Sequence, residues 1–308
     1  MLRLKKILTT TTMLGVASLF ALPNAKAVEH LSAYQSGVST GAPAGALPPP
    51  GWYFSNDTYF VSGQVVNNEG NNIGVKELEA ANSVGVMWVA PMKIWGASYA
   101  AAARQSYAYR GVQTPIGTSK NSEGFFNTII TPGILSWALP DHLHNSVGFT
   151  VFLPDGRFGT TTTNGQTTVN SYNYANNFWT FQPNYAVSYL NKGWDVTLNT
   201  VLDFNTENQK TSYQSGDIVF FDGTVAKTFN NITLGMIGNY TAQFSDDSLN
   251  GSAANTPHDG NRYYMALLGP MAAYQFGKVK VMLRWMEPIY SRNTLSASWV
   301  HLSMSFKF

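Results

Sequence analysis

From His301 to Phe308 the chain alternates without a fault: Leu302, Met304, Phe306 and Phe308 are apolar, and His301, Ser303, Ser305 and Lys307 between them are polar. Successive side chains of a strand point to opposite faces, so a strict period of two puts a different environment on each side of one sheet. The period recurs in 178–189, where Trp179, Phe181, Tyr185, Val187 and Tyr189 alternate with Thr180, Gln182, Asn184 and Ser188. In 194–205 it sets Val196, Leu198, Leu202 and Phe204 against Asp195, Thr197, Asn199, Asp203 and Asn205. In 278–285 it sets Val279, Val281, Leu283 and Trp285 against Lys278, Lys280 and Arg284. Beyond residue 27 no run of about 18 apolar residues occurs, so no transmembrane helix is expected. The nearest candidate, Ala100 to Ala103, is ended by Arg104.

A soluble sandwich turns its apolar faces inward, whereas a membrane barrel turns them outward to lipid. Three features favour the barrel. Short connections (Pro91–Lys93, Asn191–Gly193, Asn230–Asn231, Gly277) alternate with long polar ones (67–81, 107–123, 155–175, 206–215, 246–260), as short periplasmic turns alternate with external loops. Trp52, Tyr53, Trp95, Trp137, Trp179, Tyr274 and Trp299 lie near strand ends, which suits aromatic girdles. The sequence closes on an alternating strand, so Phe306 and Phe308 are expected to form the signal read by the barrel-assembly machinery. Composition agrees. Charged residues make up 12% against about 25% in an average soluble protein, and Asn, Thr, Ser, Gly and Tyr replace them at a mean hydropathy of −0.11. The absence of cysteine excludes disulfide scaffolds, thiol catalysis and cysteine-ligated zinc. Sparse Lys and Arg exclude a nucleic-acid partner.

Arg3, Lys5 and Lys6, the uncharged stretch Ile7 to Leu22, and Ala25-Lys26-Ala27 read as a signal peptide cut after Ala27, with the outer membrane as destination and its lipids as partners. Removing Arg3, Lys5, Lys6 and Lys26 with it takes the net charge from +2 to about −2. Three units follow: a leader 1–27, a Gly/Ala/Pro-rich segment 28–50, and an all-β, twelve-stranded transmembrane antiparallel barrel 51–308. The strands are expected at 52–66, 82–91, 94–106, 124–138, 146–154, 176–190, 194–205, 216–228, 231–245, 261–276, 278–290 and 294–308. Pro132 predicts a bulge or kink in the fourth. Segment 28–50 has two open readings, a disordered periplasmic tail or a hatch folded into the lumen.

Several strings then stand out in order: Gly45-Ala46-Leu47-Pro48-Pro49-Pro50-Gly51-Trp52-Tyr53, Ile130 to Trp137, Leu153-Pro154-Asp155-Gly156-Arg157-Phe158, Gln243-Phe244-Ser245-Asp246-Asp247, Leu268-Gly269-Pro270 with Tyr274, and Arg292-Asn293. Together they resemble the outer-membrane family of the "MetA-pathway of phenol degradation" over nearly all of residues 45–308. The resemblance implies a transporter-like barrel associated with uptake of aromatic or other hydrophobic compounds. Gly156-Arg157-Phe158 departs from the family's usual Gly-Thr-Tyr type ending.

If the apolar face meets lipid, Asp195, Asn199, Asp203, Asp222, Lys280, Arg284 and His301 point into the lumen and are the selectivity candidates. Lys280, Arg284 and His301 could line one basic strip, with Asp195 and Asp203 facing it. Each group has a second reading as a pairing, space-filling residue. Glu287 has outward parity and is placed above the hydrocarbon. Phe178 and Met282 are expected to narrow the passage. His142-Leu143-His144 reads as a solvated turn, and Asp246 to Gly251 as a loop with Pro257 where a calcium loop needs Glu. No metal, cofactor or catalytic group is expected. The expected function is a restrictive conduit for small hydrophobic or aromatic solutes. Its alternatives are a lipid-hydrolysing barrel, for which no G-x-S-x-G string is present, and a structural or adhesive barrel.

Overall fold

The computed structural model describes residues 32–163, 165–170, 172–250, 252–253 and 262–308; the expected leader and its cleavage site lie outside the described residues. Twelve antiparallel strands close into a barrel: β1 (Gly51–Val66), β2 (Asn72–Ile94), β3 (Ala97–Gln113), β4 (Ile129–Ala138), β5 (Leu143–Phe152), β6 (Thr180–Asn191), β7 (Trp194–Asn205), β8 (Ile218–Phe229), β9 (Ile232–Gln243), β10 (Tyr264–Phe276), β11 (Val279–Arg292) and β12 (Thr294–Lys307). Each pairs with its sequence neighbours, and β1 closes the ring on β12, from Tyr53 opposite Lys307 to Val66 opposite Thr294. No helix occurs among the described residues.

The period of two sorts each strand. On β7, Thr197, Asn199, Val201, Asp203 and Asn205 are buried inside, while Trp194, Val196, Leu198 and Phe204 are exposed outside. Turns confirm the asymmetry of the two ends. At one end Trp95-Gly96 and Lys192-Gly193 take positive φ at both positions (49° and 78°, 47° and 82°), the mirror-image geometry that matches strand twist in two-residue hairpins. Around this short-turn end the ring of Phe308 stacks on Trp52 and Trp137 donates its indole N–H to Trp95. At the long-loop end, Phe149, Phe181 and Trp179 stack in a second belt.

Several boundaries differ from expectation. β2 begins at Asn72 rather than 82, and β3 runs to Gln113 rather than 106, so two expected long loops shrink to turns at 67–71 and 114–118. These strand ends are polar on both faces (Lys76, Glu77, Glu79, Arg110, Gln113), so no apolar alternation marks them. The expected strand 124–138 is two pieces. Ser119–Phe125 pairs with the far end of β3, and β4 starts at Ile129. Buried Asn127 bridges the gap: its amide donates to the carbonyls of Leu153 and Asn176, and its carbonyl accepts from the Asn176 N–H at 2.8 Å. Register shifts flank Pro132 on both sides of β4, placing a bulge where that residue predicts one.

Trp299 is not a girdle residue. It shares the odd parity of His301 and is buried inside the barrel, 7% exposed. Glu287 faces outward as expected, where it accepts the Trp285 indole N–H and the Ser298 hydroxyl, both at 2.7 Å. Outward Asn56, Thr58 and Asn82 satisfy one another across β1 and β2 at 3.0 to 3.1 Å, which lowers the cost of polar groups facing lipid.

Candidate functional site

Residues 32–50 run through the lumen as a chain of turns, entering at the short-turn end. Two contacts fix the entry. Tyr53 donates its hydroxyl to the Pro49 carbonyl at 2.5 Å, and Lys307 donates to the Pro50 carbonyl at 2.6 Å. Further in, the segment has no regular secondary structure, so its backbone groups must find partners elsewhere. Some close turns within the segment, such as the Val38 N–H to the Gln35 carbonyl at 3.0 Å and the Thr40 N–H to the Gly37 carbonyl at 3.1 Å, and others reach the wall. The Leu47 and Gly45 N–H groups donate to Ser136 and Ser188, while Ser136 and Ser146 donate to the carbonyls of Gly45 and Ala44. The Gly41 N–H donates to Thr224 at 2.8 Å, and Ser32 bonds Asp203.

Its middle, Gly37 to Thr40, is held between opposite charges. On β8, Asp222 accepts the Tyr34 hydroxyl (2.6 Å), the Gly37 and Ser39 N–H groups (3.1 and 3.2 Å) and the Ser39 hydroxyl (2.7 Å); Asn239 donates to it as well. On β11, Arg284 donates to the carbonyls of Val38 (2.8 Å) and Thr40 (2.5 Å). The anion therefore gathers donors and the cation gathers acceptors of one loop. Tyr34 adds an apolar anchor, packing on Val201, Ile218, Phe220 and Tyr263. Burial first, and the Asp222 charge second, push its phenol well above the ordinary value, so it remains a donor.

Two glycines permit the approach. A Cβ on Gly45 would lie 2.7 Å from the Ser188 nitrogen and 2.8 Å from the His144 carbonyl oxygen, and Gly37 combines φ of 78° with Met286 against it. Gly45→Leu should therefore push the segment off the wall while the barrel ladders, which do not involve it, remain. Cysteines placed at Ala42 or Ala44 should then react with a water-soluble maleimide faster in Gly45→Leu than in the parent. Equal rates would show that the close approach does not hold the segment.

Behind Arg284 a polar chain continues. Arg284 meets His301 Nδ1, His301 Nε2 lies 2.8 Å from Asp57, and Asp57 pairs with Arg104. The network assigns a neutral His301 carrying its proton on Nε2, donating to Asp57 and accepting from Arg284. Asp57, on β1 beyond His301, adds an acidic partner that the expected basic strip did not include, and Lys280 interacts electrostatically with both Asp195 and Arg284. Asn199 donates to Ser39 at 2.9 Å, and Asp203 also accepts from Gln182. Phe178 and Met282 are buried, Met282 against Gly41. Asp141 and His142 form a positive-φ turn at the short-turn end, and Asp246 pairs with Arg262 at 2.8 Å; Pro257 lies outside the described residues. No cluster of metal-ligating side chains occurs among the described residues.

Residues 32–39 also floor a cavity of about 450 Å³ toward the long-loop end. Its walls carry Tyr59, Phe126, Phe152, Tyr174, Tyr263 and Trp299, with Arg104 and Glu79 as its charged groups. Asp57, Arg104, Glu77 and Arg110 are lumenal charges that the sequence reading did not single out. Parity alone would have placed Arg104 inside, four residues after Ala100, which is buried. Arg110 pairs with Glu77 at 2.6 Å and Glu79 at 3.2 Å above the cavity.

A family model described as "Putative MetA-pathway of phenol degradation" matches residues 48–302. The chain is similar in structure to an outer-membrane channel from Pseudomonas putida F1 (TM-score 0.72, 12% identity, 85% of this chain and 97% of that one). It is similar also to the β domain of the Bordetella autotransporter BrkA (TM-score 0.51, 11% identity, 84% and 100%) and to the transport unit of the Escherichia coli autotransporter AIDA-I (TM-score 0.52, 7% identity, 84% and 90%). These likenesses share the outer-membrane barrel fold. No curated protein sequence matches the chain.

Proposed function

The chain belongs to the family of the MetA pathway of phenol degradation, and from that membership we propose that it is an outer-membrane channel passing small hydrophobic or aromatic compounds by passive diffusion. The observation that carries the reading is the aromatic-walled cavity inside a closed barrel, floored by the lumenal segment. Twelve strands give a bore between small barrels filled by side chains and the open channels of sixteen-stranded porins. Part of that bore is taken by residues 32–47, which makes a selective passage rather than a general one.

The segment is read as a hatch, with the short turns periplasmic and the long loops external. Its support is the set of wall contacts through Ser136, Ser188, Thr224, Asp222 and Arg284. Of the candidates, Asp203, Asp222, Asn199 and Arg284 would act by holding the hatch, and Asp195 and Lys280 by setting charge nearer the periplasmic end. Phe306 and Phe308 are retained as the proposed assembly signal; Phe306 packs on Phe54 at 5.2 Å.

Proteoliposomes test the reading. Net entry of a neutral aromatic such as naphthalene or 2-naphthol should exceed that of a sugar of similar mass at least tenfold relative to protein-free vesicles. Equal acceleration of both solutes would mean a general porin, and no acceleration of either would remove the channel assignment.

A further inference from the structure

Two residues that line the cavity carry a buried polar group without a partner among the described residues. The Trp299 indole N–H meets no acceptor among the described residues, although the side chain lines the cavity and is 7% exposed. The Thr294 hydroxyl, also buried and lining the cavity, likewise has none. Five residues apart on β12, they lie about 16 Å from each other along the strand. The charged groups beside the cavity are paired, since Arg284, His301, Asp57 and Arg104 form one chain and Asp222 accepts from both hatch and wall. Arg284 Nε and the Gln243 and Asn176 side chains, none of which lines the cavity, also leave buried atoms without a partner among the described residues. A buried indole N–H usually has a partner, because leaving it unpaired costs free energy.

Resting on the channel reading above, we propose that the cavity is a binding station for aromatic molecules carrying an oxygen acceptor, which takes the Trp299 N–H, rather than for plain hydrocarbons. The dimensions and chemistry agree. A cavity of about 150 Å³ accepts benzene, so 450 Å³ accommodates a two-ring solute. Tyr59, Phe126, Phe152 and Tyr174 supply ring faces and edges for it. An indole N–H donates and cannot accept, so the group recognised must be an acceptor: an ether, carbonyl or hydroxyl oxygen. The charges near the cavity are paired (Arg104 with Asp57, Arg110 with Glu77 and Glu79), so the site is suited to a neutral solute rather than an anion. Thr294 would offer a second polar contact nearer the long loops.

The test uses a matched pair, 2-methoxynaphthalene and 2-ethylnaphthalene, which differ in an acceptor oxygen and can donate nothing. Binding to the full-length protein in liposomes is measured by equilibrium dialysis, with protein-free liposomes subtracted. The methoxy compound should bind about tenfold more tightly, the worth of one net hydrogen bond. Trp299→Phe should bring that ratio close to one while binding of the ethyl compound changes little. In protein labelled with ¹⁵N at tryptophan, the indole resonance that is missing from Trp299→Phe should move with the methoxy compound and stay with the ethyl one. Equal wild-type affinities would overturn the proposal even if the variant failed to fold, and with a folded variant an unmoved Trp299 resonance would overturn it as well. Permeation of the two compounds through the same vesicles separates the levels. If both cross and bind without preference, only the acceptor rule fails; if neither crosses, the channel reading fails as well.

Discussion

Deleting residues 32–47 should raise single-channel conductance several-fold while leaving a barrel that still changes mobility on heating. The expectation follows from where the hydrogen bonds lie. Ladder pairing runs from strand to strand around the ring and includes none of these residues. What the deletion removes is side-chain and backbone contact between the segment and the wall, through Ser136, Ser146, Ser188, Asn199, Asp203, Asp222, Thr224, Thr241 and Arg284. Those wall groups would then face water, which satisfies them at little net cost. The exception is Tyr34. Burying a large side chain of this kind contributes about 2 kcal/mol, so a modest loss of thermal stability should accompany the gain in conductance. Planar-bilayer recording in molar KCl measures the first effect and a heating series on gels the second. Unchanged conductance would remove the hatch from the mechanism. A several-fold rise would also show that β1 to β12 need no lumenal filler to keep the bore open.

How much of this was legible beforehand depended on what each residue faces. Where lipid lies on one side, alternation is imposed by the cost of exposing polar groups to it, and Asp203, Asp222 and Arg284 could be placed inside by parity. Where both sides are wet, as at Lys76 to Glu79 and Tyr109 to Gln113, no such pressure exists and the strands read as loops. β1 alternates poorly for a related reason. Asn56 and Thr58 face outward, so Asp57 and Tyr59 do not stand against an apolar partner face. Segment 32–47 carries no period because its contacts fall irregularly on several strands, Ser32 on β7, Tyr34, Gly37, Ser39 and Gly41 on β8, Gly45 on β6 and Leu47 on β4; its glycines and serines leave a tail and a hatch equally open. Trp299 stands near a strand end, as girdle residues do, but it shares the odd parity of His301, and parity sets its face.

Asp222→Ala and Arg284→Ala should both unlock the hatch, and they should do so with opposite ion preferences. In the parent, Asp222 accepts four hydrogen bonds from Tyr34, Gly37 and Ser39, and Arg284 donates to the Val38 and Thr40 carbonyls. Hydrogen bonds to a charged group contribute about 1.5–3 kcal/mol each and are not additive. Losing either clamp therefore suffices to turn a seated loop into one that leaves for part of the time, seen as brief openings in place of a steady low current. The sign of the selectivity then follows from the charge that stays behind. Removing Asp222 leaves the Arg284 guanidinium beside the opened path and favours anions; removing Arg284 leaves the Asp222 carboxylate and favours cations. Reversal potentials across a tenfold KCl gradient should move in opposite directions from the parent value. Asp222→Asn keeps the size and one acceptor oxygen, so it should share the anion shift with fewer openings. If Asp222→Ala and Arg284→Ala moved the reversal potential the same way, the conducting path would lie elsewhere in the barrel. Openings without any shift would mean that ions pass beyond the reach of both charges, about one Debye length, roughly 10 Å at 0.1 M salt.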